Sequence, residues 1–305
     1  MDISTLNHAV LAAKPHLQNG RVADYIPALR EADAQHLGVA VADTGGAVIG
    51  AGDCQVSFSI QSVSKIFSLA CVLRQRGLDA VLQHVGMEPS GNPFYSLVQL
   101  EYESGKPRNP FINAGAIAVT SLLPGQTAGE KSEFLCRFLS EISGTPIAVN
   151  EKVYFSEYET SHRNRAVAHF MKHFGNLEGN VEEAVNAYFQ QCSITMDAVT
   201  LARLGLFLAH HGTDPVSGKT IVDAKSQRFL LAMMTMCGLY DASGEFAVRV
   251  GLPAKSGVGG GIFTVVPGRY TIVTFGPALD DKGNSIGGIQ ILEHLSSACQ
   301  LSSWV

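Results

Sequence analysis

The sequence predicts an α+β fold: one antiparallel five-stranded sheet with flanking helices and a helical subdomain inserted through it. Three observations carry that expectation. Short β-rich runs joined by turn residues occur near both ends of the chain. A long stretch with helical periodicity, broken by Pro and Gly, separates them, and one more apolar helical segment follows the last β run. The 305 residues are 46% apolar and 16% charged, enough material for a large core, and no repeat, low-complexity tract or linker divides them. We therefore expect a single domain over 1–305, with a sheet subdomain at about 20–60 plus 240–305 and a helical subdomain at about 61–239.

The elements follow in order. Residues 37–42 and 47–51 flank Asp43-Thr-Gly-Gly46 and read as a hairpin. Helical spacing then predicts helices over 62–76, 78–85, 112–123, 129–143, 163–174, 180–191, 196–211 and 223–236. The alternating run Phe246-Ala-Val-Arg-Val250 predicts the third strand. Residues 261–266 and 270–275 flank Pro267-Gly-Arg269 and predict the fourth and fifth, and Ile286 to Leu301 reads as a helix that covers the sheet.

Composition narrows the function. A formal charge of -5 without Lys/Arg runs argues against a nucleic-acid partner, because phosphate binding needs a basic footprint. The N-terminus lacks a basic region with an apolar core, and no run reaches the ~18 apolar residues of a membrane span. Six cysteines, Cys54, Cys71, Cys136, Cys192, Cys237 and Cys299, are dispersed without a C-x-x-C, as reduced thiols in a cytoplasmic protein would be. His169 and His173 have the i, i+4 spacing of a zinc helix, but Phe170 stands where H-E-x-x-H has its Glu. Gly218-Lys-Thr220 lacks a correctly spaced upstream glycine for a P-loop, and Gly257-Val-Gly-Gly-Gly261 opens a β run rather than a helix, so its glycines are read as allowing close backbone approach. Neither a metal nor a cofactor is called for, and a small-molecule substrate fits best.

The chemistry concentrates in Phe58-Ser-Ile-Gln-Ser-Val-Ser-Lys-Ile-Phe67. Ser62 and Lys65 are three apart at the start of an apolar run, which places them on one helical face with free N–H groups in the first turn. A lysine buried beside Ile66, Phe67 and Leu69 loses its charge more readily and can act as base to a serine nucleophile. On its own the pair reads first as an N-cap serine and a solvated lysine. The second element that changes this is Lys255-Ser256-Gly257, because serine acyl-transfer enzymes of the penicillin-recognising kind place a Lys-Thr/Ser-Gly strand beside their Ser-x-x-Lys helix. Asn113 lies among apolar residues and serves either the fold or a ligand. Glu157 and Asn164, seven apart, would share one side of a continuous helix and form either a clamp or a solvated face. Tyr25, Tyr188 and Tyr240 sit in apolar runs where a core ring is the default.

Longer segments carry a resemblance. Val22-Ala-Asp-Tyr-Ile-Pro27, Ser59-Ile-Gln-Ser-Val-Ser-Lys65, Arg108-Asn-Pro-Phe-Ile-Asn-Ala-Gly-Ala116, Ser156-Glu157 with Arg163-Asn164, Tyr188-Phe189, Gly238-Leu-Tyr240 and Gly251-Leu-Pro-Ala-Lys-Ser-Gly-Val258 make the chain similar, from about 20 to 296, to the bacterial serine-dependent glutaminases with a β-lactamase/transpeptidase-like fold. The resemblance implies Ser62 as nucleophile, Lys65 as general base, and Asn113, Glu157, Asn164, Tyr188, Tyr240 and Val258 as substrate contacts, with Tyr25 in a segment that also lines the site. It implies L-glutamine as substrate, a homodimer or homotetramer, and Tyr240 or Tyr25 as the phenol that relays a proton to the leaving ammonia. Trp304 is a candidate contact residue of the oligomer. The chain lacks a Ser-Asp-Asn triplet and carries Ser256 where Thr is usual, which sets a β-lactamase or transpeptidase apart as the weaker enzyme reading. A catalytically silent glutamine-binding protein is the reading of a different class. One methylene is worth only about 1–3 kcal/mol in a pocket, so spacing alone does not separate glutamine from asparagine.

Overall fold

The β runs from the two chain ends meet in one sheet. The computed structural model describes residues 1–90 and 97–304. Its strands are β1 (Gly38–Asp43), β2 (Val48–Gly52), β3 (Phe58–Ser59), β4 (Ala148–Val149), β5 (Ile194–Met196), β6 (Ala254–Ser256), β7 (Gly261–Val266) and β8 (Tyr270–Phe275). Five of them form an antiparallel sheet in the order β2-β1-β8-β7-β6. Gly38 and Gly261 both stand opposite Phe275, which fixes the register across the centre. The β1–β2 turn is closed by Asp43, whose Oδ1 accepts from the Gly45 and Ala47 amides at 2.9 and 3.0 Å, the local bonding that makes Asp a turn former.

The helices are α1 (Ile3–Ala13), α2 (Ser64–His84), α3 (Leu97–Tyr102), α4 (Asn113–Ser121), α5 (Ala128–Ser143), α6 (Glu151–Thr160), α7 (His162–His173), α8 (Val181–Cys192), α9 (Ala198–Leu204), α10 (Leu206–Ala209), α11 (Ala224–Cys237), α12 (Ser243–Arg249) and α13 (Ile286–Cys299). Period-2 alternation sends the strands' side chains to two cores. Val39, Val41, Ile262 and Ile272 face the layer that includes Leu6 and Val10 of α1 and Ile291 and Leu295 of α13. Ala40, Ala42, Phe263, Val265 and Val273 face the larger core built around α2, α4, α8 and α9. Each large apolar side chain buried there contributes about 1.5–3 kcal/mol. No helix among the described residues is long and apolar enough to cross a membrane.

Several expectations are corrected. Residues 246–250 are not a strand: they belong to α12 and the residue after it. A strand would have sent Phe246, Val248 and Val250 to one face. The helix buries Phe246 and Val250, four apart, leaves Val248 87% exposed, and lets Arg249 bond Glu245 one turn back at 3.0 Å. The fifth strand is the three-residue β6 instead, too short to show alternation. Helix 196–211 is two helices, α9 and α10, because Gly205 (φ -88°, ψ 0°) packs under the Phe263 ring. The break expected at residue 77 is present: Gly77 has φ +77° within α2. Glu157 and Asn164 do not share a continuous helix, since Ser161 (φ -88°, ψ 45°) separates α6 from α7. Unforeseen were α1, α3, α6 and a small sheet of order β3-β5-β4, whose β3 leads the chain into the Ser62 turn.

Candidate active site

Ser62 owes its position to the segment before α2. Strand β3 pairs with β5, the Ile60 amide donates to the Ile194 carbonyl at 2.9 Å, and the chain then turns through Gln61 at φ +46° into a single 3-10 turn, Gln61–Val63. A non-glycine residue in that region costs about 1–3 kcal/mol and persists only where its surroundings hold it. They do so here through Gln61 Nε2, which donates to Ser59 Oγ (3.2 Å), and Ser59 Oγ, which donates to the Cys192 carbonyl (2.8 Å). The turn presents Ser62 nearly buried, 8% exposed. From the other side, the segment after β6 lies against the turn so closely that a methyl on Gly257 would fall 2.6 Å from the Ile60 carbonyl and 3.2 Å from the Ser62 amide nitrogen. The glycine permits the backbone approach anticipated for this segment.

Lys65, in the first turn of α2, is 1% exposed. Among the described residues its ammonium donates to the Phe111 carbonyl (3.0 Å) and Asn113 Oδ1 (2.7 Å), and neither bond goes to Ser62. It also lies 5.8 Å from the centre of the Tyr188 ring. Burial lowers its pKa to about 8, against the opposing pull of Cys192 and Glu157.

Asn113 opens α4 and links three of the expected residues. Its Oδ1 accepts from Lys65 and from the Tyr188 hydroxyl (3.2 Å), and its Nδ2 donates to Asn164 Oδ1 (3.2 Å). Among the described residues the amide thus ties Lys65, Tyr188 and Asn164 together and keeps one N–H over. Glu157 is 5% exposed and accepts from Ser161 Oγ at 3.1 Å; burial raises its pKa, and Ser161, Gln61 and Lys65 oppose the rise. Tyr188 is buried, which holds its phenol well above the ordinary range.

Tyr240 sits at φ +53°, a second strained non-glycine residue. Burial pushes its phenol up to about 12, and hydrogen bonding with Ser62 and Ser256 offsets part of the rise. Beneath the ring, 4.5 Å from its centre, is the ammonium of Lys255, fully buried and donating to the Gly238 (3.0 Å) and Ser256 (2.7 Å) carbonyls. Burial holds the Lys255 pKa well below the usual lysine value, and Lys65 adds to the effect.

One cavity is lined by Ser62, Asn113, Glu157, Asn164, Tyr188, Tyr240, Val258 and Tyr25, so the structure brings all of these together, with Lys65 directly behind Asn113. The two tyrosines expected to compete differ in setting. Tyr25 is 59% exposed, whereas Tyr240 meets the Ser62 hydroxyl. The same cavity is lined by Ile26, Gln61, Ser161 and Cys192, which sequence reasoning missed. Gln61 and Ser161 lay inside segments already singled out, but nothing in the sequence marked Cys192. Among the described residues no group of three His, Cys, Asp or Glu side chains could hold a metal ion.

Comparison with known proteins gives a consistent result. The family model described as Glutaminase matches residues 20–304. The glutaminase of Geobacillus thermodenitrificans is 47% identical over 292 residues, 95% of this chain and 94% of the relative, and that of Clostridioides difficile is 45% identical over 99% and 98%. Among solved structures, a probable glutaminase of Bacillus subtilis superposes with a TM-score of 0.92 at 38% identity, covering 98% of this chain and 96% of its own. A Bacillus subtilis glutaminase in covalent complex with 5-oxo-L-norleucine, formed by reaction with 6-diazo-5-oxo-L-norleucine, superposes with a TM-score of 0.89 at 38% identity, covering 98% and 99%.

Proposed function

The chain belongs to the glutaminase family, and on that premise we propose that it hydrolyses the side-chain amide of L-glutamine to L-glutamate and ammonia through an ester on Ser62. The observation that carries the mechanism is the single cavity in which a nearly buried serine faces a phenol, a buried carboxylate and an amide network backed by a lysine of lowered pKa.

The substrate has charges at one end and an amide at the other. Glu157 suits the α-ammonium, and the cost of burying its carboxylate is offset when that cation arrives. Asn113, Asn164 and Tyr188 supply amide and phenol groups for the α-carboxylate. Ser62 then attacks the γ-amide carbon while its proton passes to neutral Lys65. The amide oxygen becomes an oxyanion held by the backbone N–H groups of Ser62 and Val258. As the C–N bond breaks, the nitrogen takes a proton and leaves as ammonia, and the Tyr240 phenol, in contact with Ser62, is the relay. Water then cleaves the γ-glutamyl ester and restores the Ser62 hydroxyl. A cytoplasmic location and assembly as a homodimer or homotetramer belong to the same reading, supported by the dispersed cysteines and by an indole of Trp304 that is 65% exposed.

The test is ammonia release from L-glutamine by wild type and Ser62→Ala, with L-asparagine alongside. We expect release from glutamine, a loss of about 10⁴-fold or more in the mutant, and a weaker response to asparagine. A folded wild type that binds glutamine but releases no ammonia would instead identify a silent binding protein.

A further inference from the structure

The loop between β8 and α13 lies against Tyr240 and Val258, which line the cavity with Ser62. It is a tight turn: Asp280 Oδ1 accepts from the Lys282 (2.9 Å) and Asn284 (2.8 Å) amides, and the Asp280 amide donates to the Asn284 carbonyl at 2.8 Å. The Asn284 side chain is completely buried and turns inward. Its Nδ2 donates to the Leu239 carbonyl at 3.4 Å, and its Oδ1 accepts from Ser256 Oγ at 2.6 Å. Leu239 directly precedes the strained Tyr240, and Ser256 precedes Gly257-Val258. Gly283, at φ +90°, lies so close that a methyl on it would stand 3.3 Å from Val258 Cγ1 and 3.7 Å from Tyr240 Cε2.

We infer that Asn284 is a positioning residue for catalysis: its buried amide pins Leu239 and Ser256 at once, and so sets the phenol of Tyr240 and the backbone at Val258 relative to Ser62. The inference rests on the assignment of Ser62, Tyr240 and Val258 proposed above. The amide also fixes a direction. The Leu239 carbonyl can only accept, so Nδ2 must face it, and Oδ1 must face Ser256. The Ser256 hydroxyl, held in this way by Asn284, also hydrogen-bonds with the Tyr240 phenol. Asn284 thus acts, through Ser256 and Leu239, on the phenol that meets Ser62, not on Ser62 itself.

A cycle of Asn284→Ala, Tyr240→Phe and the double variant tests this. With glutamine, Asn284→Ala should lower kcat about 10- to 100-fold with KM changed less than about threefold, the loss expected when a reacting group is misplaced by about 1 Å. The double variant should be no slower than Tyr240→Phe within about twofold, because the amide acts through that phenol. A merely structural Asn284 would lower Tm, and its rate loss would multiply with that of Tyr240→Phe; that result, or wild-type kcat in Asn284→Ala, overturns the inference. Should Asn284→Ala not fold, Gly283→Ala takes its place in the same cycle with the same two readings, since a methyl at φ +90° strains the turn that carries Asn284 and crowds Val258 Cγ1 at 3.3 Å without opening a polar cavity. If Ser62→Ala or Tyr240→Phe turns over like wild type, the earlier assignment fails and takes this one with it, whereas an active-site loss confined to those two variants overturns the role of Asn284 alone.

Discussion

In the proposed mechanism Lys65 has to be uncharged to take a proton, and burial, not direct contact with Ser62, is what favours its neutral form. With its pKa lowered to about 8, the neutral base is the minor form below that pH and the major form above it. The sign follows: kcat/KM should rise with pH, about tenfold per unit below the midpoint, and level off above about 8. Lys65→Arg, whose guanidinium stays charged, should lose about 10²–10⁴-fold and abolish the rise. Tyr240→Phe should lower turnover about 10²-fold while circular dichroism and Tm stay near wild type, and unchanged turnover would remove the phenol from the relay. At this scale Ser62 and Lys65 were legible because their spacing and the downstream Lys255-Ser256-Gly257 are local patterns in a fixed order. Gln61 and Cys192 were not, because their roles come from a strained turn and from the β3–β5 pairing, and neither leaves a composition signal.

The elements succeed where periodicity and burial agree. Strands β7 and β8, buried almost throughout and joined by a glycine turn, stand where the β runs flanking Pro267-Gly-Arg269 put them. The run at 246–250 misled because a five-residue alternation also satisfies an i, i+4 helix with one exposed position, and the Glu245–Arg249–Glu293 ion pairs support the helix. Helix α1 was legible, with Leu6, Ala9, Val10 and Ala13 on one face and an Asp2 cap, yet it lies ahead of every motif that drew the reading. A close backbone approach at the Ser62 turn predicts a mutant. Gly257→Ala must push the segment after β6 away from the Ile60 carbonyl, so we expect kcat to fall about 10²-fold together with a destabilisation of about 1–3 kcal/mol. Wild-type kinetics in that variant would show that the spacing between strand and turn is not used in catalysis.

Across the whole molecule, the sheet brings chain-end strands together and the site forms where their edge meets the helices. Residues from 25 to 258 reach one cavity, which no single segment could have revealed. The chain order of β runs made the sheet readable; the union of distant side chains required the fold. The central claim is that Ser62 is the atom source of the covalent intermediate. Its most direct test is peptide mass spectrometry after treatment with 6-diazo-5-oxo-L-norleucine, the reagent that forms the covalent complex in the Bacillus subtilis neighbour. The account predicts one adduct per chain, on the peptide carrying Ser62, appearing as ammonia release is lost. An adduct on Cys192, whose thiol lines the same cavity, or inactivation without modification of Ser62, would contradict it.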